Sequence, residues 1–470
     1  MGSGLDLKET LWRAADKLRG SVDAAQYRDF VLGLVFLKYV SDSSGEGSFR
    51  VPDGARWADI AERAGSETVG AVIDSAMDDV MRANPALSGV LPRLFGRDGV
   101  DQRRVGELVT LIGDVRFGGR EATRDVLGEV YEYFLEKFAR AEGKRGGEFY
   151  TPSSVVRLLV EILEPFRGRV YDPCCGSGGM FVQAERFVLS HRGRRDDIAV
   201  HGQEANERTW RLAKLNLAVH GIAGDLSTRW ADTFEKDAHP ELRADFVLAN
   251  PPFNMSDWYR DANDPRWRFG VPPGGNANFA WMQHIVAKLG PGGAAGVVMA
   301  NGSMSSRQSA ERGIRAAMVE ADLVSCVVAL PGQLFRSTPI PACLWFFDRG
   351  KAVRDEVLFI DARAMGIMVD RTERVLSDTD IGTIAGTYHS WRDGNHSGVP
   401  GFSHAARLDE IRSRDHVLTP GRYVGTARPD TGDEPAANRV ERLTKELFAQ
   451  FEESSRLDEV VRAELGRLNE

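Results

Sequence analysis

The sequence predicts a doubly wound, mostly parallel α/β sheet, preceded by an all-α region and followed by a helical tail. Three observations predict it. Between about 146 and 350, short β-branched or apolar runs alternate with stretches long enough for crossover helices. The first of these runs leads into a glycine-rich turn, Gly176-Ser177-Gly178-Gly179. Upstream of about 145, apolar residues recur at helical spacing with no strand alternation.

The elements follow in order. Leu7, Leu11, Ala15 and Leu18 trace one helical stripe, and Val126, Val130, Phe134 and Phe138 trace another. Segments punctuated by Pro and Gly, such as Asn84-Pro85 and Gly118-Gly119-Arg120, lie between them, so 1–145 is read as all-α. Strands are expected at Arg169-Val170-Tyr171, Ile198-Ala199-Val200, Phe246 to Ala249, Gly296 to Met299, Leu323 to Leu330 and Ala342 to Phe347. Crossover helices are expected at Ala205 to His220 and Asn278 to Leu289, inside a domain spanning 146–425. After about 350 the pattern loosens, and Thr419-Pro420-Gly421-Arg422-Tyr423 reads as a closing turn. A polar Pro/Asp/Ala linker opens the segment 426–470. Its helix carries Val440, Leu443, Leu447 and Phe451 on one face, then Leu457, Val461, Leu465 and Leu468 after a break at Ser454-Ser455. Such a face docks onto a partner or packs back onto its own domain.

Composition bounds the function classes. The chain has 470 residues, 42% hydrophobic and 27% charged, with ample material for two or three domains. The longest dense apolar run, Phe30 to Leu37, falls far short of the ~20 residues that span a bilayer. Asp6, Lys8 and Glu9 come early, with no basic-then-apolar signal pattern, so a cytoplasmic protein is expected. Cysteines at 174, 175, 326 and 343 have neither metal nor disulfide spacing, and no metal is expected. The net charge of −8 argues against a chain that grips DNA alone; if it works on DNA, a partner or a local cleft supplies much of the hold.

In doubly wound sheets ligands bind outside the carboxyl ends of the strands, so those ends carry the chemistry. The first expected strand ends in Asp172-Pro173-Cys174-Cys175-Gly176-Ser177-Gly178-Gly179-Met180. Phe181 stands where the third glycine of a dinucleotide fingerprint would fall, and the chain contains no G-x-x-x-x-G-K-[ST] phosphate loop. A glycine turn without a phosphate cradle suits a nucleoside ligand lacking phosphates, of which S-adenosyl-L-methionine is one; alternatively it only packs strand against helix. Gly176 and Gly178 let the backbone approach such a ligand. The second strand end carries Gly202-Gln203-Glu204, where an acid can accept from ribose hydroxyls. Asp232, read as a third strand end, can take an adenine amine, and Phe234 can pack against the adenine ring. Taken singly, each acid is as well read as a cap or a surface carboxylate.

Two further segments complete the set. Gly146-Gly147-Glu148-Phe149-Tyr150-Thr151-Pro152-Ser153 reads as a turn before a helix capped near Thr151 or Ser153. Its aromatics can wall a sulfonium, which ring faces attract, or serve as a hydrophobic staple. Ala249-Asn250-Pro251-Pro252-Phe253 caps an apolar run with an amide, a rigid turn and a ring. The Asn250 amide oxygen and the Pro251 carbonyl can accept the two hydrogens of a flat, poorly nucleophilic amine, and the Phe253 ring can stack on its base.

With these motifs the chain resembles the N6-adenine DNA methyltransferases, specifically the modification subunit of type I restriction–modification systems, with the motif order of the gamma class. The resemblance also rests on Asn276-Ala277-Asn278-Phe279-Ala280-Trp281, Leu330-Pro331-Gly332-Gln333-Leu334-Phe335 and Leu418 to Tyr423, and it covers roughly 7–425. It implies an S-adenosyl-L-methionine-dependent (Rossmann-like) methyltransferase domain. Glu148, Phe149, Tyr150, Thr151, Asp172, Cys174, Gly176, Ser177, Gly178, Glu204, Asp232 and Phe234 would surround the cofactor. Asn250, Pro251, Pro252 and Phe253 would hold a target adenine in double-stranded DNA. It further implies a separate specificity subunit, served by two copies of this chain, and an ATP-dependent restriction subunit that can join them. The rivals are a protein-glutamine or RNA N-methyltransferase, since an amide or base amine poses the same chemical problem, and a non-catalytic scaffold.

Overall fold

The computed structural model describes residues 12, 24–42, 49–114, 122–142, 150–335 and 340–426, and, towards the C-terminus, 441, 443–445, 447–452 and 454–457. The chain divides into two compact units, Met1–Val424 and Gly425–Glu470.

The first unit begins with helices Ala24–Asp42, Trp57–Ala61, Val69–Ala83, Gln102–Gly113 and Ala122–Glu142. The first predicted stripe, at Leu7 to Leu18, lies outside the described residues. The second lies on Ala122–Glu142, where Val130, Phe134 and Phe138 are buried. Phe30 and Phe95 meet edge to face at 4.5 Å in the same core. Two glycines permit its tight approaches: a Cβ on Gly70 would meet Phe95 O at 2.0 Å, and one on Gly106 would meet Ala64 O at 1.8 Å. Leu212, Leu215 and Val219, from helix Glu207–His220, complete this core. Each such side chain contributes about 1.5–3 kcal/mol by leaving water, so the helical region is fastened to the sheet by ordinary apolar packing.

The main sheet has nine strands among the described residues, in the order β11-β8-β6-β7-β5-β4-β1-β2-β3. They are β1 (Gly168–Asp172), β2 (Ile198–Gly202), β3 (Gly224–Asp225), β4 (Ala244–Ala249), β5 (Leu289–Ala300), β6 (Val324–Ala329), β7 (Ala342–Asp348), β8 (Glu356–Asp361) and β11 (Ser403–Arg407). A separate two-stranded ribbon joins β9 (Ile367–Met368) to β10 (Arg374–Val375). Strands β3, β2, β1, β4 and β5 run parallel, as expected. Strand β7 runs against both β5 and β6, and β11 against β8.

The two faces are sorted by alternation. Leu344 and Phe346 of β7 join the core beneath helices Ser153–Leu163, Gly179–Ser190 and Asp378–Arg392. Cys343, Trp345 and Phe347 join the core beneath Asn278–Lys288 and Ser309–Glu320. With both faces covered, β6 and β7 read as continuous apolar runs.

The region after 350, which reads as loose in sequence, extends the sheet through β8 and β11 and adds the helix Asp378–Arg392. Ser377 and Asp380 begin that helix with a reciprocal capping box, a signal outweighed by the polar residues around it. The expected closing turn is a 3₁₀ turn at Pro420–Arg422, and the Tyr423 ring stacks on Phe359 at 3.9 Å.

Chain order leaves β1 for β2 and β3 on one side and for β4 on the other. The reversal creates a crevice at the carboxyl ends of β1 and β4. Asp172 ends β1, and Asn250 follows the last residue of β4.

Candidate active site

A cavity of about 870 Å³ opens beside these strand ends. Among the predicted residues, Tyr150, Thr151, Asp172, Cys174, Gly176, Ser177 and Asn250 line it together. Glu148 and Phe149 lie outside the described residues.

The turn after β1 is built by its own backbone. Gly176 and Gly178 both adopt left-handed φ, 54° and 80°, and Gly178 caps helix Gly179–Ser190. The Cys175 N–H donates to Gln203 O at 2.9 Å and the Gly178 N–H to Cys175 O at 2.8 Å. Asn216 Nδ2 reaches Ser177 O at 2.8 Å. Asp172 is 2% exposed, and its Oδ1 accepts from the Cys174 N–H at 3.0 Å. Burial pushes its carboxyl up to about 7; the Cys174 N–H opposes the rise and the Glu204 charge adds to it. Burial also raises the Cys174 and Cys175 thiols well above their ordinary range, which keeps them protonated.

Glu204, at the end of β2, is tied into the same turn. Its Oε2 accepts from the Gly176 N–H at 3.1 Å and its Oε1 from the Asn206 N–H at 2.8 Å.

Asp232 departs from expectation. Strand β3 spans only Gly224–Asp225, so Asp232 lies in the loop beyond it and does not end a strand. Its Oδ1 accepts from the Phe234 N–H at 2.7 Å and the Glu235 N–H at 3.2 Å. Phe234 is 3% exposed, packed against Trp281 at 4.4 Å and Trp258 at 5.0 Å. Its ring belongs to an aromatic nest with Trp258 and Trp281.

Residues with no sequence signal hold this loop. Buried Gln203 donates to Ala231 O at 3.0 Å and Lys236 O at 2.7 Å, and accepts from the Ala238 N–H at 2.9 Å. Arg266 donates to Thr233 O and Phe234 O, each at 2.8 Å, and forks onto Asp264. It also donates to His284 Nδ1 at 3.0 Å, and burial, followed by the Arg266 charge, pushes His284 down to about 3. Apart from the Arg266–Asp264 fork, these contacts join residues 18 to 35 apart in sequence, so no local pattern announces them.

On the other wall Pro152, and neither Thr151 nor Ser153, occupies the cap position of helix Ser153–Leu163. The Thr151 hydroxyl is therefore available to the site, and it accepts from Asn250 Nδ2 at 2.9 Å. Asn250 Oδ1 is buried with no hydrogen-bond partner among the described residues. A buried amide oxygen left unpaired costs roughly 1–3 kcal/mol, so it marks a place for a donor. Pro251 is buried, Pro252 exposed, and Phe253 half-buried with its ring 6.2 Å from Phe335. Asn278 pins the following turn: it accepts from the Asn254 N–H at 3.0 Å and donates to Asn254 Oδ1 at 2.9 Å.

At the strand ends the cavity carries a buried acid, backbone N–H groups and an unpaired amide oxygen, while Arg157, Arg186 and Arg195 line it elsewhere. The strand-end lining suits a cationic, phosphate-free nucleoside on one side and an amine on the other.

The family described as N-6 DNA Methylase matches residues 122–431, and the HsdM N-terminal domain matches residues 7–112. The chain is 45% identical to the type I restriction enzyme HindI methylase subunit of Haemophilus influenzae, over 89% of this chain and 99% of that one. It is 34% identical to the MjaIX methylase subunit of Methanocaldococcus jannaschii, over 98% and 91%. Among solved structures it resembles a type I restriction–modification methyltransferase subunit from Streptococcus thermophilus, with a TM-score of 0.78, 25% identity, and 90% and 99% of the two chains covered.

Proposed function

The chain belongs to the N-6 DNA methylase family and is an adenine-specific DNA methyltransferase, the methylase subunit of a type I restriction–modification system; from that premise we propose how its residues divide the work. The observation that carries the assignment is the buried, unpartnered Oδ1 of Asn250 at the end of β4.

S-adenosyl-L-methionine, the proposed donor, supplies an electrophilic methyl group on a sulfonium. The buried acid and phosphate-free turn at the strand ends fit such a ligand. Glu204, at the end of β2, would accept from the ribose hydroxyls. The oxygen of Asp232 not used by its own loop takes the adenine amine of the cofactor. Gly176 and Gly178, with Cys174 and Ser177, bring backbone close to the ligand, and Asp172 sits beneath its cationic end. Tyr150 would wall the sulfonium by ring attraction, and the sequence motif nominates Glu148 and Phe149 as further cofactor contacts.

The target adenine enters from the opposite side. Its exocyclic nitrogen cannot be reached inside the stack, so the base is flipped out of the duplex. Asn250 Oδ1 and the Pro251 carbonyl accept the two amine hydrogens, which draws the nitrogen lone pair out of conjugation and toward the methyl group. Pro252 stiffens the turn and Phe253 stacks on the base. The rest is positioning, which can supply about 7–11 kcal/mol of the barrier. No thiol takes part, in keeping with the raised Cys174 and Cys175.

Target-sequence reading belongs, in this proposal, to a specificity subunit with two copies of this chain, joined by an ATP-dependent restriction subunit. The net charge of −8 supports a shared grip on DNA. The proposed division of labour is 1–145 for helical packing, 146–425 for chemistry and 426–470 for docking.

The test is to assemble the chain with its specificity partner, incubate it with DNA and S-adenosyl-L-methionine, and analyse the nucleosides by mass spectrometry. N6-methyladenine is expected with wild type and a background level with Asn250→Ala. Transfer to RNA or protein with none to DNA would overturn the reading.

A further inference from the structure

At the far edge of the sheet, His201 of β2 and Asp225 of β3 are register partners. His239 reaches them from the loop that follows Asp232. One ligand atom from each residue lies within 4.8 Å of the other two. His201 Nδ1 stands 4.0 Å, and His239 Nδ1 3.8 Å, from the same Asp225 Oδ2.

The proton inventory makes this cluster unusual. His239 Nε2 lies 2.9 Å from Gly202 O. A carbonyl only accepts, so Nε2 carries the proton and Nδ1 presents a lone pair to Asp225. His201 Nδ1 is buried and has no hydrogen-bond partner among the described residues. A His239 nitrogen, an unpartnered His201 nitrogen and a carboxylate oxygen thus converge, and one cation at their centre would satisfy all three. Of the neighbouring protein cations, Arg169 pairs with Asp245 at 3.0 Å and Lys288 with Asp237 at 2.5 Å, while Lys214, whose ammonium lies 4.5 Å over the Trp210 ring, feels the Asp225 charge without a salt bridge to it among the described residues.

We propose that His201, Asp225 and His239 form a three-ligand site for a divalent transition ion of the Zn²⁺ type, clipping the β2–β3 edge to the 232–239 loop. Two nitrogens and one carboxylate oxygen are the donors such an ion prefers, at about 2.0–2.2 Å, with a fourth position left for water. Tetrahedral ligands at those lengths sit about 3.3 Å apart, so on loading the His–Asp separations of 4.0 and 3.8 Å close by about 0.5–0.7 Å and the His–His separation, within 4.8 Å, by at most about 1.5 Å. The Gly202 carbonyl fixes the His239 tautomer, as backbone acceptors commonly do for metal-bound histidines. The ion has a structural role: it anchors the loop that carries Asp232. The positions 201, 225 and 239 follow no metal spacing, and the sequence reading expected no metal. The inference stands independently of the proposed methyl transfer.

The test uses the full chain, stripped with a chelator and titrated with Zn²⁺ alone. Binding is read by competition with a chromophoric chelator and by thermal melting. One equivalent per chain and a rise in melting temperature are expected, with Mg²⁺ unable to substitute because it demands oxygen ligands. His239→Ala and Asp225→Asn each weaken Zn²⁺ binding at least about tenfold. Asp225→Asn keeps a side chain that is 60% exposed, so it preserves the fold if His239→Ala does not. Absence of saturable Zn²⁺ binding in wild type overturns the proposal. Unchanged binding in Asp225→Asn does so too, since the ion is then held elsewhere.

Discussion

Asn250 donates its Nδ2 hydrogen to Thr151 Oγ1 at 2.9 Å, and this bond leaves Asn250 Oδ1 as the buried acceptor facing the site. Removing the hydroxyl frees the amide to rotate while leaving every proposed cofactor contact of the turn in place. Thr151→Val is expected to lower single-turnover methylation about 100-fold, with cofactor affinity within a few-fold of wild type. Thr151→Ser restores most of the rate. Asn250→Ala loses about 10²-fold or more in turnover in the assembled complex and still binds cofactor. Near wild-type turnover in Asn250→Ala would sink the assignment.

Asp172 makes the protein sensitive to pH near neutrality. Its folded pKa is raised from 3.8 to about 7, so between these values the folded chain keeps a proton that the unfolded chain releases. Its contribution to stability is fully present below about 3.8 and is lost as pH rises through about 7. A cationic ligand prefers the ionised form, so cofactor affinity rises with pH across the same window. Denaturant melts and cofactor titrations from pH 5.5 to 8 are expected to show these opposite slopes. Asp172→Asn flattens both; an unchanged slope in that variant would assign the effect to another group.

Arg266 satisfies the Thr233 and Phe234 carbonyls and the Asp264 carboxylate at once. Arg266→Ala removes the side-chain donors of both carbonyls and leaves Asp264 with the backbone N–H of residue 266, and is expected to lower the melting temperature and weaken cofactor binding about tenfold. Arg266→Lys recovers little, because a single ammonium cannot span the fork. Calorimetry on the three proteins checks the order.

The cysteines of the turn serve packing and backbone shape. Cys174→Ala is expected to keep turnover within a few-fold of wild type, and thiol alkylation at neutral pH is slow, because burial holds the thiol protonated. Loss of activity in Cys174→Ala with cofactor binding retained would return the thiol to the mechanism.

Within the C-terminal unit, Leu443, Leu447 and Phe451 repeat every four residues along a helix and are each about half exposed. Leu447→Asp with Phe451→Asp is expected to abolish co-purification with the specificity subunit, while cofactor binding stays unchanged. Truncation at about 430 gives the same result. Association that survives both changes excludes the helix as a docking element.

Much of the site was legible because it lies at strand ends. The Asp-Pro-Cys-Cys-Gly-Ser-Gly-Gly turn, Glu204 and Asn250 each follow a recognisable apolar run, and the sheet order then brings Asp172 and Asn250 side by side. Asp232 was misread as a strand end because β3 is only two residues long, too short to leave a pattern. The aromatic nest around Phe234 was not legible either, because Trp258 and Trp281 reach it from positions 24 and 47 residues further along the chain. The buried strand β8 was passed over because a short apolar run without a flanking helix signal has no period of its own.

What the sequence by itself determined is the local chemistry: which strand ends carry acids, amides and glycines, and hence the class of reaction. Those features depend on φ, on capping and on residue type, which neighbours along the chain settle. What only the tertiary structure decided is which groups are left unpaired. Asn250 Oδ1 lacks a partner because Thr151 takes Nδ2, and His201 Nδ1 lacks one although β3 and the 239 loop bring Asp225 and His239 close to it. Hydrogen-bond satisfaction is a property of the whole packed chain, since each donor can be taken by a residue tens or hundreds of positions away.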